Sequence, residues 1–413
     1  MLLNIMAFPI FSLIRERIMI NNVRQKNSLF KMMWLAIYGV GLCFGEMSLA
    51  ADMPPVIKIG HAGPLTGVLA HVGKENENGV RLAIEEINAT GGVLVNGVKY
   101  QLALVPEDDK ADPAVAVEAA KRLVAAGVVG VIGHLNSGSS IAAKPVYAMA
   151  SVAQISPAST NPKYTQEGQK SLGGFVTSFR VVANDTLQGK ALVNYASAAM
   201  QIKRIALIDD GTDYGKGLAD QVEQTARDQG VQVVGRLSVS WEDLDFEEVI
   251  KNLTKDKPEV VFFGGVDDTA AGIAIQMKAM GTSAKLMSGD GTCTGRFIEI
   301  AKEAADVLIC SEAGAPLEKL PQGVAFAQKY KERFRMPMQI YGALAYDATY
   351  ALVEAIKRAN QNDRDSLLIN MPSISYEGVS GLVKFQPDGE RENAPISIYQ
   401  VSNGKKLFLT TLQ

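Results

Sequence analysis

Long apolar runs are scarce in this chain. The most extended one, MMWLAIYGVGLCF, covers 13 residues at 32–44, whereas a membrane-spanning helix needs about 20; no other segment approaches that length. Cysteine and histidine are scarce too, with three of each, and the sequence holds neither CxxC nor HExxH, so the usual zinc-binding spacings are missing. His61, His71 and His134 accompany no GxSxG or similar nucleophile signature, and they read as structural or cleft-lining side chains. No GxGxxG follows a strand, which disfavours a dinucleotide enzyme. GTDYGKG at 211–217 has only three residues between its first glycine and Gly-Lys, and no Ser or Thr after the lysine, so it is not a phosphate loop. A basic excess is lacking as well: the formal charge is −3, and nucleic acid would want a basic face. Low-complexity segments and Pro/Ser-rich linkers do not occur.

What is present begins with a targeting pattern. Arg15, Arg17, Arg24, Lys26 and Lys31 precede the apolar stretch, and small residues follow it at Ser48, Ala50 and Ala51. Basic region, short apolar core and small-residue cleavage site make 1–51 a secretory signal peptide; an uncleaved anchor is the alternative. Translation could also start at Met19 or Met32. Without residues 1–50 the chain carries 36 basic and 42 acidic side chains, a net −6. Cleavage also removes Cys43 and leaves Cys293 and Cys310. In an exported protein an even pair favours a disulfide, with two buried free thiols as the alternative.

The remainder is 413 residues less that leader, and 47% of the whole is hydrophobic, enough for two domains with their own cores. From residue 55 onward, apolar runs alternate with helix-period segments. VIKIGHA (56–62) reads as a strand; KENENGVRLAIEEINA (74–89) puts Val80, Ile84 and Ile87 on one helical face and stops at Gly91-Gly92. YQLALVPED is the next strand, and Asp112-Pro113 opens a helix as N-cap and first-turn proline. VVGVI, RIALIDD, VQVVGRLSVS, EVVFFGG and KLMSGDG continue the pattern, with helices expected from about Tyr214, after Asp245, from Asp268 and from about Thr294. Strands separated by helices predict parallel sheets covered on both faces. About ten such units are too many for one compact sheet, so two α/β lobes are expected.

In open parallel sheets, ligands bind beyond the carboxyl ends of the strands, and three turns lie there. GHLNSGSS follows VVGVI and enters a helix; Ser137, Gly138 and Ser139 would offer N–H groups and hydroxyls to an anion, or else form an ordinary helix cap. SPAST (156–160) ends a neighbouring apolar run, so the two turns could converge on one carboxylate. GDG (289–291) places Asp290 at a strand end in the second half, as a partner for an ammonium or as a plain surface turn.

Read together, IKIGHAGPLTG, NGVRLAIEEINATGG, DDKADPAVAVEAAKRLV, VGVIGHLNSGSS, ISPAST, RVVANDTLQGKALVNYA, IALIDDGTDYGKGLAD, VVFFGG and GALAYDATY resemble the periplasmic leucine/isoleucine/valine-binding protein family, which serves ABC importers. The resemblance covers essentially the whole mature chain. It implies a type I periplasmic binding fold: two Rossmann-like α/β lobes with parallel sheets, joined by a three-strand hinge, closing on a ligand. It places one lobe at 52–182 and 315–382 and the other at 183–314 and 383–413. It implies that Ser137 and Thr160 bind an α-carboxylate, with Ser159 in the same turn; that the Ala158 carbonyl takes an α-ammonium; that Asp290 is its counter-ion; and that Tyr214 packs on the ligand. Val72 and Val266 stand where known members have aromatic residues, and Tyr341 is a further pocket-wall position, so the side-chain pocket is expected to be wider or reshaped. Ala111 and Asn136 stand where some members have a disulfide. The implied protein is a periplasmic monomer that binds a neutral, apolar amino acid, works with an ABC membrane permease, needs no cofactor and is not an enzyme. A same-fold receptor for a short amide, urea derivative or carboxylate is the alternative; a secreted hydrolase or dehydrogenase lacks its motifs.

Overall fold

The computed structural model describes residues 54–166 and 170–412. The signal-peptide reading at 1–51, with Cys43, lies outside the described residues.

The first sheet is built from β1 (Val56–Gly63), β2 (Val93–Val95), β3 (Val98–Asp108), β4 (Gly130–Gly133), β5 (Ala153–Ser156) and β6 (Ser178–Arg180). Its spatial order is β2-β3-β1-β4-β5-β6. All neighbours are parallel except β2, which turns back on β3. The second sheet takes β7 (Arg204–Asp209), β8 (Gln232–Ser238), β9 (Val260–Gly264), β10 (Lys285–Ser288) and β11 (Leu308–Glu312), again in parallel. A separate hairpin, β12 (Ser375–Gly378) and β13 (Gly381–Lys384), precedes β14 (Ile396–Ser402) and β15 (Lys405–Leu412). These last two extend the second sheet antiparallel beside β11. Two sheet-based α/β lobes are therefore present, as the alternation of apolar runs and helical segments predicts.

Local chemistry explains the element boundaries. In β9, VVFFG, every residue is buried, as expected of a central parallel strand covered on both faces. Asp112 caps the helix Pro113–Ala125 by accepting from Ala114 N at 2.7 Å and Val115 N at 3.0 Å; this stabilises the helix by about 1 kcal/mol. Thr212, Asn184 and Thr294 cap the helices Asp213–Asp228, Asp185–Ala199 and Gly295–Ala301 in the same way. The helix Ala70–Ala89 packs closely against Ile340–Ala359 because position 79 is glycine: a Cβ there would come 2.2 Å from the Gly342 carbonyl oxygen. That contact returns the chain to the first lobe after β11.

The chain thus crosses between the sheets three times: after β6, after β11 and before β14. The crossovers are tied together where they run side by side. Ala183 N donates to Ala313 O at 3.4 Å, Arg391 Nη1 to Val181 O at 2.7 Å, and Asn184 Nδ2 to Glu390 Oε2 at 3.2 Å. β13 runs to Lys384, and the third crossover follows it. Cys293, in the loop after β10, and Cys310, in β11, form a disulfide with Cα atoms 5.4 Å apart.

Candidate ligand-binding site

Two polar turns meet at the carboxyl end of the first sheet. Directly after β4 the chain enters the helix Ser137–Met149, whose first capping bond is Ser140 N to Asn136 O at 2.9 Å. The N–H groups of Ser137, Gly138 and Ser139 therefore have no intrahelical acceptor, which leaves a positive helix end facing the cleft. The second turn, 156–161, is wound around Ser156, whose hydroxyl accepts from Ser159 N at 2.8 Å and donates to His134 O at 2.8 Å. Ser159 Oγ bonds Ser140 Oγ at 2.6 Å and Leu135 O at 3.1 Å. Its hydroxyl is thus committed to locking the two turns together. Asn161 N donates to Ser137 Oγ at 3.3 Å, completing the junction.

Thr160 differs from its neighbours. It is fully buried, yet its hydroxyl has no hydrogen-bond partner among the described residues. It lies beside the carboxyl of Asp185 without completing a bond, and neither Asp185 oxygen has a partner. Burial pushes the Asp185 carboxyl up to about 8; the Thr160 hydroxyl opposes the shift and the charge of Asp290 adds to it. A buried polar group without a partner costs free energy, and here the Thr160 hydroxyl and the Asp185 carboxyl have each other as nearest polar neighbours.

Asp290, in the loop after β10, is 3% exposed. Its Oδ1 accepts from Gln188 Nε2 and from the Tyr214 hydroxyl, each at 2.9 Å. Its Oδ2 accepts from the Tyr341 hydroxyl at 2.9 Å. The orientation of Gln188 is set on its other side, where Oε1 accepts from Ser311 Oγ at 2.6 Å. Burial pushes the Asp290 carboxyl above its ordinary range, and these three hydrogen bonds pull it back down. Tyr214 and Gln188 sit on helices of the second lobe, whereas Tyr341 opens the helix packed on the first. The carboxylate is therefore reached from both lobes.

Further contacts shut the cleft around this centre. Asn161 Nδ2 donates to Asp213 O at 2.6 Å, and Gly295 N to Gln339 Oε1 at 3.0 Å. His71 Nε2 lies 2.9 Å from Asp267 Oδ2. Val72, beside His71, is buried, and Val266 is the residue preceding the helix Asp267–Ala279 and partly buried. The two valines thus flank the His71–Asp267 contact in sequence.

The structure brings Ser137, Ala158, Ser159 and Thr160 together in one wall of the cleft, and Tyr214, Tyr341 and Asp290 together in another. Tyr341 has a larger part than a pocket wall, since its hydroxyl bonds the acidic centre. His134 is structural: Nδ1 meets Asp109 Oδ2 at 2.6 Å and Nε2 meets the Tyr147 hydroxyl at 3.0 Å. Asp185 and Gln188 were missed from the sequence although both lie in RVVANDTLQGKALV. The signal is an acidic residue at the start of a helix with an amide one turn later, and it reads equally well as first-turn capping.

Two α/β lobes on three crossovers, with a polar cleft closed between them, define a hinged binding protein of type I architecture. The chain belongs to the periplasmic binding protein family, whose model matches residues 56–406. A Pseudomonas aeruginosa protein named as binding leucine, isoleucine, valine, threonine and alanine is 31% identical over 357 residues, which is 86% of this chain and 92% of that protein. The leucine-binding protein LivK of Thermotoga maritima superposes with a TM-score of 0.79 at 27% identity, covering 86% of this chain and 98% of that one. LivJ of Streptococcus pneumoniae, a branched-chain amino acid transporter substrate-binding protein solved with isoleucine, gives 0.76 at 26% identity, over 85% and 97% of the two chains.

Proposed function

We propose that this chain is the periplasmic solute receptor of an ABC importer and captures a free, neutral, branched-chain or other apolar amino acid, which it leaves chemically unchanged. The observation that carries the proposal is Asp290, a buried carboxylate held from both lobes, opposite a wall that offers the Ser137 helix end and Thr160. A zwitterion matches that arrangement: its carboxylate suits the helix end, and its ammonium suits Asp290 and the Ala158 carbonyl. Asp185 lies beside Thr160, at the carboxylate end, where burial favours its neutral form. Val72, Val266 and the ring of Tyr341 form the apolar end of the pocket, with more room than two aromatic rings would leave. The names of the relatives point the same way. In this reading the lobes are 52–182 with 315–382, and 183–314 with 383–413; residues 1–51 direct export, and a membrane permease receives the closed form.

One observation keeps a second ligand class in view. Asp290 already accepts from three neutral donors, so a ligand without an amine would not leave the carboxylate bare. A short amide, urea derivative or simple carboxylate is the competing solute. A thermal-shift screen of the mature protein against the common amino acids, short amides and carboxylates separates the two, because a ligand that binds only the native state raises its melting temperature. Apolar amino acids are expected to give the largest shifts. Shifts with amides or carboxylates alone would overturn the amino-acid reading.

A further inference from the structure

The 156–161 turn is held from behind by one side chain. Arg180, the last residue of β6, is 0% exposed. Its Nη1 donates to Ser159 O at 2.8 Å, and its Nη2 donates to Asn161 O and to Thr165 Oγ1, each at 2.9 Å. Glu390, from the third crossover, approaches with Oε1 3.1 Å from Nε as an ion-pair contact. A guanidinium sealed from water needs charge compensation, which Glu390 provides, while the carbonyls and Thr165 Oγ1 take its Nη donors. The choice of carbonyls has a further consequence. In a trans peptide unit the C=O and the following N–H point in opposite directions, and the 159–160 bond is trans. With the Ser159 carbonyl drawn to Arg180, the Thr160 N–H faces away from it. That N–H makes no hydrogen bond to the described residues, although both flanking N–H groups are engaged, Ser159 N by Ser156 Oγ and Asn161 N by Ser137 Oγ.

We propose that Arg180 is a positioning residue for the anionic end of the ligand. Its two-carbonyl fork fixes the 159–160 peptide so that the Thr160 N–H is presented to a carboxylate, and its charge behind the turn adds to the attraction. Glu390 sits at Nε, outside the fork, and tempers that charge. The inference rests on the amino-acid reading given above.

The probe is L-leucine, followed by titration calorimetry and by the Thr160 amide signal in protein labelled with 15N at threonine. In the wild type, saturating L-leucine moves the Thr160 amide proton downfield as it gains a carboxylate acceptor. Arg180→Lys keeps the charge but cannot span two carbonyls as the planar fork does. Its affinity for L-leucine is expected to fall about tenfold or more, and at saturation its Thr160 amide stays near the free position. Unchanged affinity, or an amide shift equal to that of the wild type, overturns the assignment, since a merely structural arginine would lower the melting temperature and leave that shift intact. If the lysine variant does not fold, Glu390→Gln decides: it removes the compensating anion but leaves the fork, so L-leucine binds more tightly, and unchanged or weaker binding counts against the proposal. Wild-type protein that gives no heat with L-leucine overturns the receptor reading itself, an outcome distinct from a failure of the variants alone.

Discussion

The Tyr341 hydroxyl donates to Asp290 Oδ2 at 2.9 Å, and the bond joins a helix packed on the first lobe to a loop at the strand ends of the second. Neither residue could make this contact with the lobes apart. The contact thus spans the two lobes at the Asp290 carboxylate.

Asp290 should be the most sensitive position in the cleft. Asp290→Asn keeps its shape but removes the charge that faces the ammonium, and hydrogen bonds to charged groups are worth about 1.5–3 kcal/mol. Calorimetry with an apolar amino acid is expected to show a loss of at least about 1.5 kcal/mol. Equal binding by variant and wild type would remove Asp290 from the ligand site.

Ser137→Ala tests the opposite wall. The substitution removes a hydroxyl next to the free N–H groups of a helix end and releases Asn161 N from its acceptor. Affinity should again fall by at least about 1.5 kcal/mol, with little change in melting temperature because the helix itself is retained. A drop in stability with no drop in affinity would leave Ser137 a structural acceptor for Asn161 N and nothing more.

Closure should depend on pH through His71. Its Nδ1 faces the Val68 carbonyl at 3.1 Å and its Nε2 faces Asp267 Oδ2 at 2.9 Å. Both neighbours only accept hydrogen bonds, so in the closed form both ring nitrogens carry protons. Burial works against that charge and nearby Arg296 opposes it, but the hydrogen bond and charge of Asp267 outweigh them and raise the pKa above its usual value. A raised pKa in the closed form means that the contribution to closure is complete below the ordinary histidine range and is lost as pH rises through the elevated value. Ligand affinity should therefore weaken as pH rises out of the ordinary histidine range and through the elevated value, and His71→Phe should remove that part of the profile. A wild-type profile that is flat, or that rises with pH, would contradict the assignment.

The Cys293–Cys310 bond closes a loop with a sequence separation of 17. For a loop of that size the cross-link is worth about 3 kcal/mol. A Cys293→Ser, Cys310→Ser double variant should unfold at lower urea concentration, with the ligand contacts unaffected. An unchanged midpoint would mean that the pair adds no stability.

Much of this was legible in the sequence because parallel strands announce themselves. VVFFG in β9 and VIKIG in β1 are apolar runs bounded by turn residues, and Asp112-Pro113 marks its helix start through capping chemistry alone. The helix at 74–89 proved to start a turn earlier, at Ala70. That turn is hidden by Gly73, a poor helix former, and only glycine fits there, since a Cβ would lie 2.0 Å from the Pro64 carbonyl oxygen. The turns at 137 and 160 could be suspected from composition but not joined. Their junction is the Ser137–Asn161 and Ser140–Ser159 pairs, set by the neighbouring positions of β4 and β5. Gln188 and Asp185 are least legible, because the Gln188 contacts span more than a hundred residues of sequence and the burial of Asp185 shows in no local pattern; Tyr341 is legible as a pocket position, but its bond to Asp290 is not.

In the proposed function the cleft takes a zwitterion between the Ser137 helix end and Asp290. The most direct test is titration calorimetry of the mature wild-type protein with L-leucine, L-leucinamide and isovalerate, which carry both charged ends, the ammonium alone and the carboxylate alone. L-leucine is expected to bind tightly, with a loss of about 1.5 kcal/mol or more for each truncated ligand. Isovalerate binding as tightly as L-leucine would contradict it.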